Sequence, residues 1–256
     1  MQVSKSSIEI RNCPILNENI TSQMLFGEQF KILKYQNNWV YGYSIIDNYY
    51  GWIEKKNLSH SFDYTHLIAI SRAIVLIAPD VKSSFITYLP LRSRIKVISI
   101  NNNWAKIKLC SNFKNRYGYV SIFQVLEKNK YIKNWVKYAE PFLGTPYRWG
   151  GRDSFGIDCS ALVQLSMAFS GVLLPRDSYD QYLFFKNNRN YVLKHNIQDI
   201  KLLVRGNIVY WPGHIGIMIT KNKIIHASGY HSLVVIENIL KVIERVNERP
   251  LFIFQD

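Results

Sequence analysis

The stretch Thr145-Pro-Tyr-Arg-Trp-Gly-Gly-Arg-Asp-Ser-Phe-Gly-Ile-Asp-Cys-Ser160 decides how the rest of this 256-residue chain is read. Pro146, Gly150, Gly151 and Gly156 make it a loop, because they take up turns that other residues resist. Residues 161–170 then run almost unbroken through good helix formers and apolar side chains, and Gly171 reads as the stop. Asp158 falls at the N-cap, which puts Cys159 in the first turn of a buried helix. Free N–H groups and the positive end of the helix dipole are expected to draw its thiol toward thiolate. Most free cysteines are simply small buried hydrophobes. A partner is needed to argue for a nucleophile.

That partner lies downstream. Trp211-Pro-Gly-His-Ile-Gly-Ile-Met-Ile-Thr220 and Ile224-Ile-His-Ala-Ser228 are apolar runs joined by a polar turn at Lys221–Lys223, the pattern of a β-hairpin. His214 and His226 are twelve residues apart, an even spacing that can place both on one face. His214 can then serve as base to Cys159, with His226 holding its far ring nitrogen as the third member of a triad does. The spacing of His and Cys matches no zinc pattern, and no metal or cofactor is expected.

From about Tyr131 onward the chain resembles the NlpC family of cell-wall cysteine peptidases. The matching motifs are Gly144-Thr-Pro-Tyr-Arg-Trp-Gly-Gly151, Asp158-Cys-Ser160, Leu174-Pro-Arg-Asp-Ser-Tyr-Asp-Gln181, Gly213-His-Ile-Gly-Ile217 and Ile225-His-Ala227, in family order. The resemblance implies an α+β, papain-like domain, an antiparallel sheet packed on helices. It implies Cys159 as nucleophile, His214 as base, His226 as orienting residue and Tyr147 as an active-site tyrosine. It places Arg176, Asp177 and Ser178 near the substrate, although Asp177 or Ser178 can equally cap the helix that follows. Asp158 and Ser160 can contact substrate or cap the Cys159 helix. The family commonly has Gly-Asp before its central strand, where this chain has Gly206-Asn207. The substrate implied is a peptidoglycan peptide, cut between γ-D-glutamate and lysine or diaminopimelate. The same Cys–His–His set could transfer the acyl group to an amine, and a vestigial domain would leave a non-catalytic wall-binding protein.

The first half is a repeat. Pro14, Phe30, Asn38 and Trp39 recur as Pro79, Ile95, Asn103 and Trp104, each displaced by 65, and Tyr50-Gly-Trp-Ile53 returns as Tyr117-Gly-Tyr-Val120. Short β-rich runs between polar turns read as two small all-β barrels, over 1–62 and 63–126, which resemble bacterial SH3-like domains. The peptidase domain takes 127–256. Trp39 and Trp52 read as fillers of the barrel core. In relatives with two barrels the first limits substrate length by recognising a free amino end. Glu54 is the candidate carboxylate for that ammonium, as on the L-alanine of a murein peptide, with Tyr50 beside it. Residues 127–140, with Tyr131, Ile132, Trp135, Val136 and Ala139 at helical spacing, read as a connecting helix.

Composition bounds the rest. Hydrophobic residues make up 48% of the chain, so it folds. No apolar run reaches the ~20 residues of a membrane span, the N-terminus lacks a secretory core, and three cysteines make no disulfide scaffold. A cytoplasmic enzyme that recycles short murein peptides is the expectation. The net charge of +14 comes from scattered lysines and arginines, which argues against nucleic acid as partner.

Overall fold

The computed structural model describes residues 1–110 and 113–255. The chain divides into two compact units, Met1–Lys130 with Arg152–Ser154, and Tyr131–Gly151 with Phe155–Asp256. Among the described residues no helix is long and apolar enough to cross a membrane.

In the first unit, residues 7–54 form a five-stranded antiparallel sheet in the order Ile20–Leu25, Ser7–Arg11, Tyr50–Glu54, Trp39–Ser44, Phe30–Gln36. Alternation along these strands decides which side chains are buried. Val40 and Ile53 turn inward with Ile8, Ile10, Met24 and Phe30 to build the core. Trp39 and Trp52, one residue away from them, are therefore on the outer face and only half-buried, so the expectation that they fill the core is corrected. On that face the register pairs Trp39 with Glu54, Tyr41 with Trp52 and Tyr43 with Tyr50. Ring centroids there lie 5.3 Å apart for Tyr41 and Trp52 and 5.0 Å for Tyr43 and Tyr50.

Residues 66–127 form a second sheet, in the order Phe85–Pro90, Arg72–Leu76, Tyr117–Ser121, Trp104–Lys108, Arg94–Asn101, His66–Ile68, Val125–Glu127. Its backbone keeps the sequence offset of 65. Bulges fall at Ile32/Lys34 and at Val97/Ser99, and the hairpin turns carry Asn37 and Asn102, both at φ 50°. A buried ion pair completes this unit. Arg152 Nη1 and Nη2 donate to the two carboxylate oxygens of Glu28 at 2.9 and 3.2 Å, and Nη1 also donates to the Gln23 carbonyl at 2.8 Å.

The second unit is a six-stranded antiparallel sheet with three helices. Its strand order is Tyr191–Lys194, Leu251–Gln255, Ile208–Trp211, His214–Met218, Lys223–Ser228, Leu233–Asn238. Helix α1 (Cys159–Met167) is buried along its whole length, and the chain leaves it through Gly171 at φ 93°. Helix α2 is Ser178–Lys186 and α3 is Ile239–Val246. Val209, Trp211, Met218, Ile224 and Phe252 from the sheet form one core cluster with Ile239 and Val242 of α3.

The connecting helix expected over 127–140 does not form. Val125–Glu127 is a strand, and two short 3₁₀ turns, Trp135–Tyr138 and Glu140–Phe142, follow a polar loop. Pro141 leaves too little length for a stable α-helix. The 3₁₀ turns still bury Trp135, Val136, Tyr138 and Phe142, and Tyr138 stacks on Phe169 at 3.6 Å.

Candidate active site

Asp158 caps α1, its carboxylate accepting from the Ala161 N–H at 2.8 Å. That cap fixes Cys159 as the first helical residue. Asp158 also accepts from the Gly150 N–H at 3.0 Å and from the Ser160 hydroxyl at 3.1 Å. Arg176, 2% exposed, spans both carboxylate oxygens at 3.0 and 2.5 Å and donates to Ser160 Oγ at 2.8 Å. Asp158, Ser160 and Arg176 thus form a hydrogen-bonded cluster at the head of the helix. Gln181 of α2 donates to the Ser160 carbonyl at 3.0 Å and ties the second helix to the same point. Asp177 stands at the N-cap position of α2, exposed, and its side chain makes no cap bond there.

The Cys159 thiol is 6% exposed. Burial, followed by the negative charge of Asp158, pushes it up to about 12, against backbone hydrogen bonds from Ile215 and Ser160 and the charge of Arg176 that pull it down. The helix start alone would draw the thiol toward thiolate. Burial acts the other way and is the largest of the influences on the thiol, because a thiolate loses its hydration there. The bond from Ile215 places the sulfur against the residue that follows His214. Tyr147 is half-buried, and burial with the charges of Cys159 and Asp158 pushes its hydroxyl well above the ordinary range, so it stays a proton donor.

His214 opens its strand and His226 lies in the next one, as the even spacing predicts. His214 Nε2 is 2.6 Å from His226 Nδ1. The approach depends on Gly216, where a Cβ would come within 2.7 Å of Ile224 Cδ1 and 3.0 Å of His226 Cβ. Burial pulls His214 down to about 3, and His226 is lowered by the same cause. Two residues that sequence reasoning missed complete the row. His226 Nε2 faces Glu237 Oε1 at 2.8 Å, and Arg245 grips the Glu237 carboxylate at 2.6 and 2.9 Å. His231, the sequence rival to His226, lies 3.4 Å from Glu237 Oε1. Glu237 stands two residues beyond Val235, the cross-strand partner of His226. The alternation that paired the histidines extended one strand further would have found it.

Asn207, where the related pattern has Asp, is buried and accepts from the Val204 N–H at 2.7 Å. An amide oxygen fills the role a carboxylate oxygen would. Tyr50 and Glu54 belong to the first unit, with Glu54 paired to Lys56 at 2.8 Å and accepting from Asn57 at 3.3 Å.

A thiol at a helix start beside two linked histidines defines the class of thiol hydrolases with a Cys–His pair. Residues 144–247 match the model of the NlpC/P60 family, and residues 10–58 match that of the bacterial dipeptidyl-peptidase Sh3 domain. This chain carries an NlpC/P60 domain preceded by a bacterial dipeptidyl-peptidase Sh3 domain. The Sh3 model reaches the first of the two β repeats. Dipeptidyl-peptidase 6 of Lysinibacillus sphaericus is 24% identical over 235 residues, 84% of this chain and 82% of that one. The gamma-D-glutamyl-L-lysine dipeptidyl-peptidase of Bacillus subtilis is 28% identical over 180 residues, and the match spans 63% of this chain and 57% of that protein. The crystal structure of an NlpC/P60 family protein from Bacillus cereus shares the fold, with a TM-score of 0.79 at 17% identity over 98% of this chain and 97% of its own.

Proposed function

We propose that this chain is a cysteine endopeptidase that cuts the amide between γ-D-glutamate and a diamino acid, lysine or diaminopimelate, in peptides derived from peptidoglycan. The observation that carries the reading is Cys159 at the head of α1, against the start of a strand whose His214 is linked at 2.6 Å to His226. The printed names of the two curated relatives support the choice of bond.

Burial pushes the thiol up and pulls the imidazole down, which favours the neutral pair over thiolate and imidazolium before substrate binds. Attack by sulfur on the carbonyl carbon is coupled to passage of the thiol proton to His214. His214 returns that proton to the departing amine as the C–N bond breaks and a thioester remains. Water, deprotonated by His214, then cleaves the thioester. The Cys159 backbone N–H at the helix start and the Tyr147 hydroxyl are the candidate donors to the oxyanion, and losing one such donor costs about 3 kcal/mol of transition-state stabilisation.

The first repeat supports selection of free amino ends. Its outer face carries five aromatic rings and Glu54, whereas the equivalent pairs of the second repeat are Trp104–Ser121, Lys106–Tyr119 and Lys108–Tyr117. An ammonium suits rings and a carboxylate, and on this face it would replace Lys34, whose own ammonium lies 5.6 Å from the Trp52 ring. Such a preference fits short peptides already released from the wall, the substrates of murein recycling.

Mass-spectrometric product analysis of L-Ala-γ-D-Glu-diaminopimelate, with and without an N-acetyl group, tests both parts. Release of L-Ala-D-Glu from the free peptide by the wild type and not by Cys159→Ala supports them. Equal cleavage of the acetylated peptide refutes the amino-end preference, and no cleavage of either refutes the choice of bond.

A further inference from the structure

The row of side chains behind His214 permits a count of its protons. Glu237 sits between His226, His231 and Arg245, and the Arg245 guanidinium in turn lies 4.6 Å from the centre of the Tyr230 ring. Both carboxylate oxygens are gripped by Arg245 at 2.6 and 2.9 Å, so the group is ionised and can only accept. The hydrogen in its 2.8 Å contact with His226 therefore sits on His226 Nε2. A neutral imidazole has one N–H, which leaves a lone pair on His226 Nδ1. The 2.6 Å contact to His214 must then carry its hydrogen on His214 Nε2.

We propose that Glu237, locked by Arg245, is a positioning residue that fixes the tautomer of His214 through His226, leaving His214 Nδ1 as the ring nitrogen that takes the Cys159 proton. The inference rests on the peptidase reading for its catalytic meaning, but the tautomer itself does not. During the reaction the thiol proton goes to Nδ1, and the row behind it moves no proton. Glu237 holds its charge while His214 is a cation, and the two existing N–H donors need not reorient. Glu237 opposes the lowering of both histidines by burial, whereas the Arg245 charge adds to it, more than offsetting Glu237 at His214 and less at His226. Without Glu237 the opposite chain of donors, His226 Nδ1–H to His214 Nε2, becomes available. That tautomer puts the hydrogen of His214 on Nδ1, where it cannot accept.

The test is ¹⁵N NMR of the imidazole nitrogens in the full chain, assigned with His214→Gln and His226→Gln and run beside peptide kinetics. The wild type should show His214 with Nε2 protonated and Nδ1 bare. In Glu237→Gln the amide can donate as well as accept, and the spectrum should move toward the reverse tautomer. The expected loss in kcat is about 10- to 100-fold, the range for partners that orient a functional histidine, with KM within about twofold. Arg245→Met, which leaves the carboxylate ionisable but loose, should give a smaller shift in the same direction. Its acid limb should shift to higher pH, since the Arg245 charge lowers both histidines, whereas that of Glu237→Gln shifts to lower pH. A Glu237→Gln protein that is folded by circular dichroism and keeps the wild-type tautomer and kcat overturns the proposal. So does a wild-type His214 already protonated on Nδ1. The spectra need no substrate, so failure to cleave the peptide would sink the peptidase reading alone.

Discussion

Arg176→Ala separates two readings of a residue that the sequence places near the substrate. Arg176 is 2% exposed, and its guanidinium donates to both carboxylate oxygens of Asp158 and to Ser160 Oγ. Removing it leaves a buried carboxylate with the Ala161 and Gly150 N–H groups and the Ser160 hydroxyl as its donors. Breaking a buried ion pair by deleting one partner costs about 3–5 kcal/mol, a large part of the 5–15 kcal/mol that holds a domain together. The remaining donors put the expectation near the lower end, at about 3 kcal/mol, or roughly 10 °C in melting temperature for a unit of this size. Arg176→Lys should lose less, since a point charge cannot span both oxygens and Ser160 together. The double variant Asp158→Asn, Arg176→Met removes both charges and should recover part of the loss. The assay is urea unfolding followed by tryptophan fluorescence. An Arg176→Ala protein with wild-type stability and a raised KM would refute the clamp and restore the substrate-binding role.

Other consequences follow from the same geometry. Iodoacetamide labelling of Cys159 in the free protein should stay slow through mildly acidic and neutral pH and climb only in alkali, because burial holds the thiol up at about 12; rapid labelling near pH 6 would contradict this. Glu237 is held down to about 2 from 4.5, so its contribution to stability is full above pH 4.5 and lost as pH falls toward 2. Melting temperature should therefore fall through that window in the wild type and less steeply in Glu237→Gln. Gly216→Ala adds a methyl group 3.0 Å from His226 Cβ and should cost about 1–3 kcal/mol in stability, with a fall in kcat measured on the folded fraction. Glu28→Ala strands a buried Arg152 and should destabilise the first unit by about 3 kcal/mol in denaturant, with Glu28→Gln losing less.

Much of this arrangement was legible because it rests on short-range rules. Capping chemistry put Asp158 before α1, glycine stopped that helix near 171, and period-two spacing put His214 and His226 on one face. The repeat showed in the sequence because two copies of one hairpin need the same Asn at the left-handed turn position. What escaped depends on burial and register. The thiol's position was misjudged because a helix dipole is visible in a sequence and the depth of a side chain is not. Taken singly, Glu237 and Arg245 carry no signal in the sequence: the sheet register brings Glu237 to His226, and the last turn of α3 brings Arg245 to Glu237 eight residues later. Trp39 and Trp52 lie outside the core because Val40 and Ile53, one residue away in strands of period two, take the buried face. The connecting helix failed because apolar spacing cannot by itself tell an α-helix from two short 3₁₀ turns, the second of which carries Pro141 in its first turn.

The central claim is that Cys159 becomes acylated by its peptide. Intact-protein mass spectrometry after rapid acid quench of the wild type with L-Ala-γ-D-Glu-diaminopimelate tests it most directly. The account predicts an added L-Ala-D-Glu acyl group, localised by digestion to the peptide containing Cys159 and absent from Cys159→Ala, which forms no product. Continued product formation by Cys159→Ala, or an acyl group on any other residue, would contradict it.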